Sequence, residues 1–234
     1  MGTLGKPGYP DYQPRIPPGW RIAIADQWPI NTNIGPTPQF DIKRWRFETY
    51  GAVKKPLSLA YDDVLRLPHV MKVLDHHCVD GWSYLGHEWT GVEIDRIFEM
   101  THPTPDAKYL LVEAENGMSQ TFPLGQEFLL VYKRNGQTLP RQGGYPLRVV
   151  APGQFGYKSV KWVGRIKFTV EREPDFWDRK FMEWGLPPIP DDLSPWNCDN
   201  KERKRLLREL FTRILEDRRN KTGFYEDYMK SFSR

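Results

Sequence analysis

Apolar and polar positions first alternate at RWRFETYG (44–51), where Trp45, Phe47 and Thr49 share one parity and predict a strand with one buried side. KKPLSLAYDDVLRLP (54–68) then changes period. Tyr61, Val64 and Leu65 fall at helical spacing after Ser58, which predicts a short helix capped by Ser58 and stopped at Pro68. VMKVLDHHCV (70–79) reads as a strand, and TGVEIDRIFEM (90–100) as a helix capped by Thr90. Two strands around an Asn-Gly turn are expected in KYLLVEAENGMSQTFPL (108–124), and a strand followed by a turn in EFLLVYKRNGQTLP (127–140). YPLRVVAP (145–152) and KWVGRIKFTVE (161–171) are strand-like again. Many strands with short helices between them make the expected fold class α+β, mixed and strand-rich.

The two ends read differently. Residues 1–40 are rich in proline and glycine, which forbid a lasting helix or central strand, so they are expected to form an extended arm. Trp20, Trp28 and Phe40 would anchor that arm on the folded surface. Residues 171–200 look irregular. DNKERKRLLRELFTRILEDRRN (199–220) follows as an amphipathic helix with Leu206, Leu207, Leu210, Phe211, Ile214 and Leu215 on one stripe. The expected organisation is an arm (1–40), a main domain (41–172) and an irregular segment with a C-terminal helix (173–234).

Charge changes the picture in one place. The chain carries +4 net, and residues 201–219 hold eight Lys or Arg against four Asp or Glu, so the remainder is balanced. A nucleic-acid binder would show a broader basic face with interleaved aromatics, and no nucleic-acid partner is expected. The first 40 residues contain no apolar run of roughly 7–15 residues behind a basic start, and no membrane-length apolar stretch occurs. The expectation is a soluble, cytoplasmic protein, not integral to a membrane. Its two cysteines, Cys78 and Cys198, exclude a disulfide framework and an intrinsic four-cysteine iron–sulfur cluster, and no CxxCH haem attachment site appears.

Chemistry concentrates in two segments. LDHHCVDGWSYLG (74–86) places Cys78 behind His76 and His77, with His87 just beyond. A buried inert thiol, a zinc ligand and the ligand of a redox metal all remain open for Cys78 from this stretch alone. Zinc is disfavoured because neighbours on a strand point to opposite faces, so His76 and His77 cannot both join Cys78 at one ion. The second segment, GGYPLRVVAPGQFGYKSVKWVGRIKF (143–168), sets Arg148, Lys158 and Lys161 around glycine turns beside Ser159 and Trp162. Cations around a glycine-rich loop suit a buried phosphate; surface cations on strand ends are the plainer reading.

Taken together, CVDGWS…WTGV and GGYPLRVVAP…GYKSVKWVGRI resemble the sulfite oxidase superfamily of molybdopterin-binding oxidoreductases, from about residue 40 to 172. The likeness is greatest to short, single-domain prokaryotic members, among them relatives of a methionine-sulfoxide reductase catalytic subunit. The resemblance implies a molybdenum–molybdopterin cofactor, no intrinsic haem or iron–sulfur cluster, and oxygen-atom transfer. It implies that Cys78 is the catalytic thiolate bound to molybdenum. It implies pterin contacts from Arg148, from Lys158, Ser159, Val160 and Lys161, and from Asn31 and Asn33 in the arm. The chain departs from the pattern at Gly143, where the family has His or Asn. Arginines expected around sulfite are missing, while Asp80 and Glu88 lie near Cys78 in sequence, which points to an S-oxide or N-oxide rather than sulfite. Sulfite-oxidase-like oxidation of a small substrate and a non-catalytic cofactor carrier are the alternatives. With one redox centre, turnover would need an external electron carrier (a cytochrome, a quinone-linked membrane subunit or a soluble donor), and the basic helix is a candidate docking face for an acidic one.

Overall fold

The computed structural model describes residues 16–17, 21–22, 37–78, 82–191, 194–195, 212 and 216. Among the described residues two sheets carry the fold. One runs in the order β3 (Leu57–Ala60), β2 (Arg46–Gly51), β11 (Val163–Thr169), β6 (Tyr109–Ala114), β7 (Ser119–Pro123). The other is built on β5 (Trp82–Glu93), which pairs with β4 (Val70–Cys78), β8 (Leu129–Arg134) and β1 (Arg21–Ile22). Beyond β8 lie β10 (Arg148–Val150) and the short return strand β9 (Gln137–Thr138). Among the described residues three short α-helices interrupt or follow the strands, so the fold is α+β and strand-rich.

Strand β2 buries the side chains of the expected parity. Trp45, Phe47 and Thr49 are all buried, and the Thr49 hydroxyl lies 2.7 Å from that of Thr101 while accepting from the Leu57 amide at 3.0 Å. Phe47, Val92, Leu110, Val149, Val163 and Ile166 sit in the main core, which therefore draws from both sheets. Burial of such side chains contributes about 1.5–3 kcal/mol each. The Asn-Gly turns also appear as expected. Asn135 and Gly136 both take positive φ, 49° and 73°, the pair that a two-residue hairpin requires.

Four local expectations are revised. Ser58 lies in β3 rather than capping a helix; α1 spans Tyr61–Arg66, and the Asp63 carboxylate accepts from the Ala60 amide at its start. Thr90 lies within β5, opposite Lys133, and α2 begins only at Ile94 (Ile94–Thr101). In both cases cross-strand pairing overrides a local capping signal. Residues 171–200 contain α3 (Phe176–Glu183), whose Asp175 accepts from the amides of Trp177 and Asp178 at 2.8 and 3.0 Å. Thirdly, then, that stretch is not wholly irregular; fourthly, β9 adds a strand where only a turn was expected. Of the expected C-terminal helix, Thr212 and Glu216 are helical and exposed; its apolar stripe lies outside the described residues. Of the arm, Arg21–Ile22 add to β5 in parallel, opposite Trp82 and Ser83; Trp20 and Trp28 are outside the described residues.

Candidate cofactor site

Cys78 closes β4, and the pairing of β4 with β5 fixes its surroundings. His76 faces Tyr84, His77 faces Ser83 and Cys78 faces Trp82 across the two strands. Directly paired residues share a sheet face, so Cys78, His76, Trp82 and Tyr84 lie on one side, His77 and Ser83 on the other. Cys78 is buried and clusters with Trp82 and Tyr84. His77 Nδ1 lies 2.9 Å from the Ser83 hydroxyl, and His87 Nδ1 lies 3.2 Å from the Asn135 amide nitrogen. The histidines thus turn to different partners. Among the described residues no three His, Cys, Asp or Glu gather into a metal-holding group. That geometry suits Cys78 as a single protein ligand better than a zinc set.

His76 reaches the second segment. A Cβ at Gly156 would stand 2.4 Å from His76 Nε2, so only glycine lets this turn close onto the imidazole. Burial, then the positive charge of Arg148, holds the His76 pKa well below the ordinary value, which keeps the ring neutral.

Arg148 and Lys161 form the other half of the site. They are bridged through their backbones in antiparallel fashion, and both are buried. Arg148 Nη1 donates to the Gly143 carbonyl at 3.2 Å, and Lys161 Nζ donates to the Gln142 carbonyl at 3.1 Å. The neighbouring Trp162 Nε1–H donates to the Arg141 carbonyl at 2.6 Å, and its ring lies 4.5 Å from Lys161 Nζ. Three consecutive carbonyls, 141 to 143, are therefore each gripped by one side chain of the cradle. Gly144 follows with φ 116°, and a Cβ there would press on Arg148 Cβ at 3.0 Å. Trp162 itself sits fully buried at φ 59°, a conformation that costs a bulky residue about 1–3 kcal/mol.

The electrostatics join the two segments. Burial is the main force pulling the Arg148 pKa down, Arg134 adds to it, and Cys78 opposes it. A guanidinium does not lose its proton under such conditions; the shift registers as a cost of holding the charge there. Lys161 is pushed down to about 7 by burial and by Arg148. A dense, buried positive patch beside a thiol is a receptacle for an anion.

The remaining sequence-derived candidates are placed less uniformly. The Ser159 amide donates to the Gly156 carbonyl at 3.0 Å, and Val160 is buried in the core with its carbonyl accepting from Val149 at 2.8 Å. Lys158 is buried too, but its Nζ donates to Gln154 Oε1 at 2.9 Å and to the Asp191 carbonyl at 2.6 Å, toward the C-terminal segment. Asn31, Asn33 and Asp80 lie outside the described residues. Glu88 pairs with Val73, five residues along β4 from Cys78, roughly 16 Å at the usual strand rise. Its nearness to the thiol is in sequence only. Sequence reasoning missed His76 as a contact of the second segment, Arg134, and the carbonyl row. The glycine at 156 was the one available signal.

Residues 34–177 match the family described as the oxidoreductase molybdopterin binding domain. The chain belongs to this family. It is 35% identical over 199 residues to the uncharacterized oxidoreductase YuiH of Bacillus subtilis, covering 83% of this chain and 99% of that protein. It is 28% identical over 160 residues to the protein-methionine-sulfoxide reductase catalytic subunit MsrP of Campylobacter jejuni. It is 27% identical over 167 residues to the putative protein-methionine-sulfoxide reductase subunit YedZ1 of Azospira oryzae. These matches take in 59% and 69% of this chain, and the chain spans only 54% and 63% of those two relatives. Among solved structures, the sulfane dehydrogenase SoxCD from Paracoccus pantotrophus superposes with a TM-score of 0.54 at 23% identity, over 58% of this chain and 41% of that one. That likeness establishes the fold. As a family member the protein is an enzyme, an oxidoreductase of the molybdopterin-binding class. Among the described residues no helix is long and apolar enough to cross a membrane.

Proposed function

We propose that the protein binds a molybdenum–molybdopterin cofactor through Cys78 and the Arg148/Lys161 cradle and reduces an S-oxide or N-oxide. The observation that carries this reading is geometric: the strand that ends at Cys78 meets the segment that holds Arg148 and Lys161, through the His77–Phe155 backbone bridge and the close approach of Gly156 to His76. A thiolate for a soft metal and buried cations for a phosphate are the two donor sets that the cofactor needs, and they occupy one site. Cys78 is the sole protein ligand to the metal. Arg148 and Lys161 hold the phosphate, the backbone of Ser159 and Val160 lines the cradle, and Lys158 supports the turn from the side of Asp191. Asn31 and Asn33 add pterin contacts from the arm. Residues 41–172 are the working domain, with the arm and the C-terminal segment as accessories.

When bound, the molybdenum group supplies oxygen-atom transfer by cycling between two oxidation states, and the protein positions and tunes it. The chain's own part is to exclude water by burying Cys78 against Trp82 and Tyr84, to keep His76 neutral beside Arg148, and to hold positive charge where the phosphate lies. Reduction of an S-oxide is favoured by the likeness to two proteins named as methionine-sulfoxide reductase subunits. Electrons reach the site from an external carrier. Two measurements test this. Metal and pterin analysis of purified protein should give about one of each per chain; zinc without pterin would overturn the reading. Steady-state kinetics with viologen donors should show S- or N-oxide turnover exceeding sulfite oxidation, and the reverse order would overturn the substrate class.

A further inference from the structure

We infer that Arg141 is a positioning residue for the cofactor, a latch that ties the end of the arm to the phosphate cradle. The inference rests on the cradle reading above. Arg141 faces two ways. Its carbonyl accepts the indole N–H of Trp162 at 2.6 Å and begins the row whose next two members receive Lys161 and Arg148. Its exposed guanidinium donates to Gln39 Oε1 at 2.6 Å and lies 5.9 Å from the centre of the Phe40 ring. Phe40 stacks on Tyr145 at 6.2 Å, and Tyr145 packs edge-on against Tyr61 at 5.3 Å. The turn between Arg141 and Tyr145 is thus held from outside by the arm and from inside by the cradle cations.

The turn cannot move without disturbing both. Tyr145 and Gly143 amides both donate to the Pro140 carbonyl, at 3.3 and 2.9 Å, so the segment shifts as a unit. Lifting it removes the carbonyls that orient the guanidinium of Arg148 and the ammonium of Lys161, and it releases Trp162 from the contact that helps to hold its left-handed backbone. Gln39 and Phe40 keep the turn down, and Arg141 is the side chain that grips them. Retention of an anion in the cradle is therefore linked to docking of the arm, with Arg141 as the polar grip beside the Phe40–Tyr145 stack.

The test follows release of pterin, by its fluorescence after oxidation, from cofactor-loaded wild type, Arg141→Ala and Arg141→Lys, and measures the pterin content of purified Arg148→Ala, with thermal melting of each cofactor-free protein alongside. An exposed cation–aromatic contact and a hydrogen bond are at stake, so Arg141→Ala should release pterin roughly 3- to 10-fold faster with an unchanged melting temperature. Arg141→Lys keeps a cation over Phe40 and should recover most of the loss. Wild-type release from Arg141→Ala, or equally fast release from the lysine variant, would overturn the latch. Arg148→Ala separates the two readings: if it retains pterin as wild type does, the cradle itself is wrong; if it loses pterin while Arg141→Ala does not, only the latch fails.

Discussion

Arg148 and Lys161 are locked side by side through a backbone bridge, and the guanidinium lowers the affinity of its neighbour for a proton. Two like charges are thus fixed together inside the protein. Such a pair is tolerable because carbonyls 142 and 143 receive them, and it becomes favourable when an anion arrives.

That arrangement sets the outcome of Arg148→Ala. On the proposed reading, removing the guanidinium leaves the cofactor phosphate without a buried cation, at a cost of roughly 2–5 kcal/mol. The variant should be purified almost without pterin, as measured by fluorescence against protein concentration. Wild-type pterin content would place the phosphate elsewhere.

Lys161 gives a pH signature. An ordinary lysine titrates near ~10.4, and burial with Arg148 brings Lys161 to about 7. Between these values the unfolded chain binds the proton that the folded chain lacks, so stability of the cofactor-free protein rises with pH across that window. Below about 7 both states are protonated and the cost of burying the charge is felt in full. Lys161→Met should flatten the rise, which urea unfolding midpoints at about pH 6.5 and about pH 9 will read. An identical slope in the variant would assign the window to other groups.

Cys78→Ser separates binding from chemistry. In the proposed reading the cradle would grip the phosphate independently of the thiol, so pterin content should stay near the wild-type level while oxygen-atom transfer disappears. Loss of pterin and of the folded baseline in circular dichroism together would make Cys78 a packing residue instead.

Gly156→Ala tests the contact that joins the two segments. The new methyl would meet His76 Nε2 at 2.4 Å and Cε1 at 2.8 Å, and overpacking of this kind costs about 1–3 kcal/mol. Chemical denaturation should show the loss, and a second change, His76→Ala, should recover part of it in a double-mutant cycle. Additive effects would mean that the turn does not rest on the imidazole.

Much of this architecture was legible in the chain. The parity of Trp45, Phe47 and Thr49 marked the buried face of β2, and Asn135-Gly136 marked the turn that follows β8, because both signals are local. The cradle residues Arg148 and Lys161 were legible because glycines and cations cluster within twenty residues. Ser58 and Thr90 misled, since their strands are held by partners far away in sequence that a capping rule does not see. Helix α3 was hidden by its Pro- and Trp-rich setting, although Asp175 and Asp178 form a reciprocal cap that the spacing could have revealed. The carbonyl row at 141–143 had no signal at all. Main-chain acceptors carry no side-chain identity, and their alignment with Trp162, Lys161 and Arg148 exists only once the sheets are assembled.

Strand β11 has a consequence for the order in which the molecule is made. It lies between β2 and β6, so the hairpins β2–β3 and β6–β7 stay separate until residues 163–169 are available to join them. Lys161 lies just before this strand, and its backbone partner Arg148 lies on β10. A nascent chain stopped short of Val163 would hold two hairpins with unprotected edges, whereas insertion of the next seven residues welds the sheet and anchors the adjoining Lys161 beside Arg148. Synthesis thus leaves no stage at which the sheet is complete and the receptacle is still unmade.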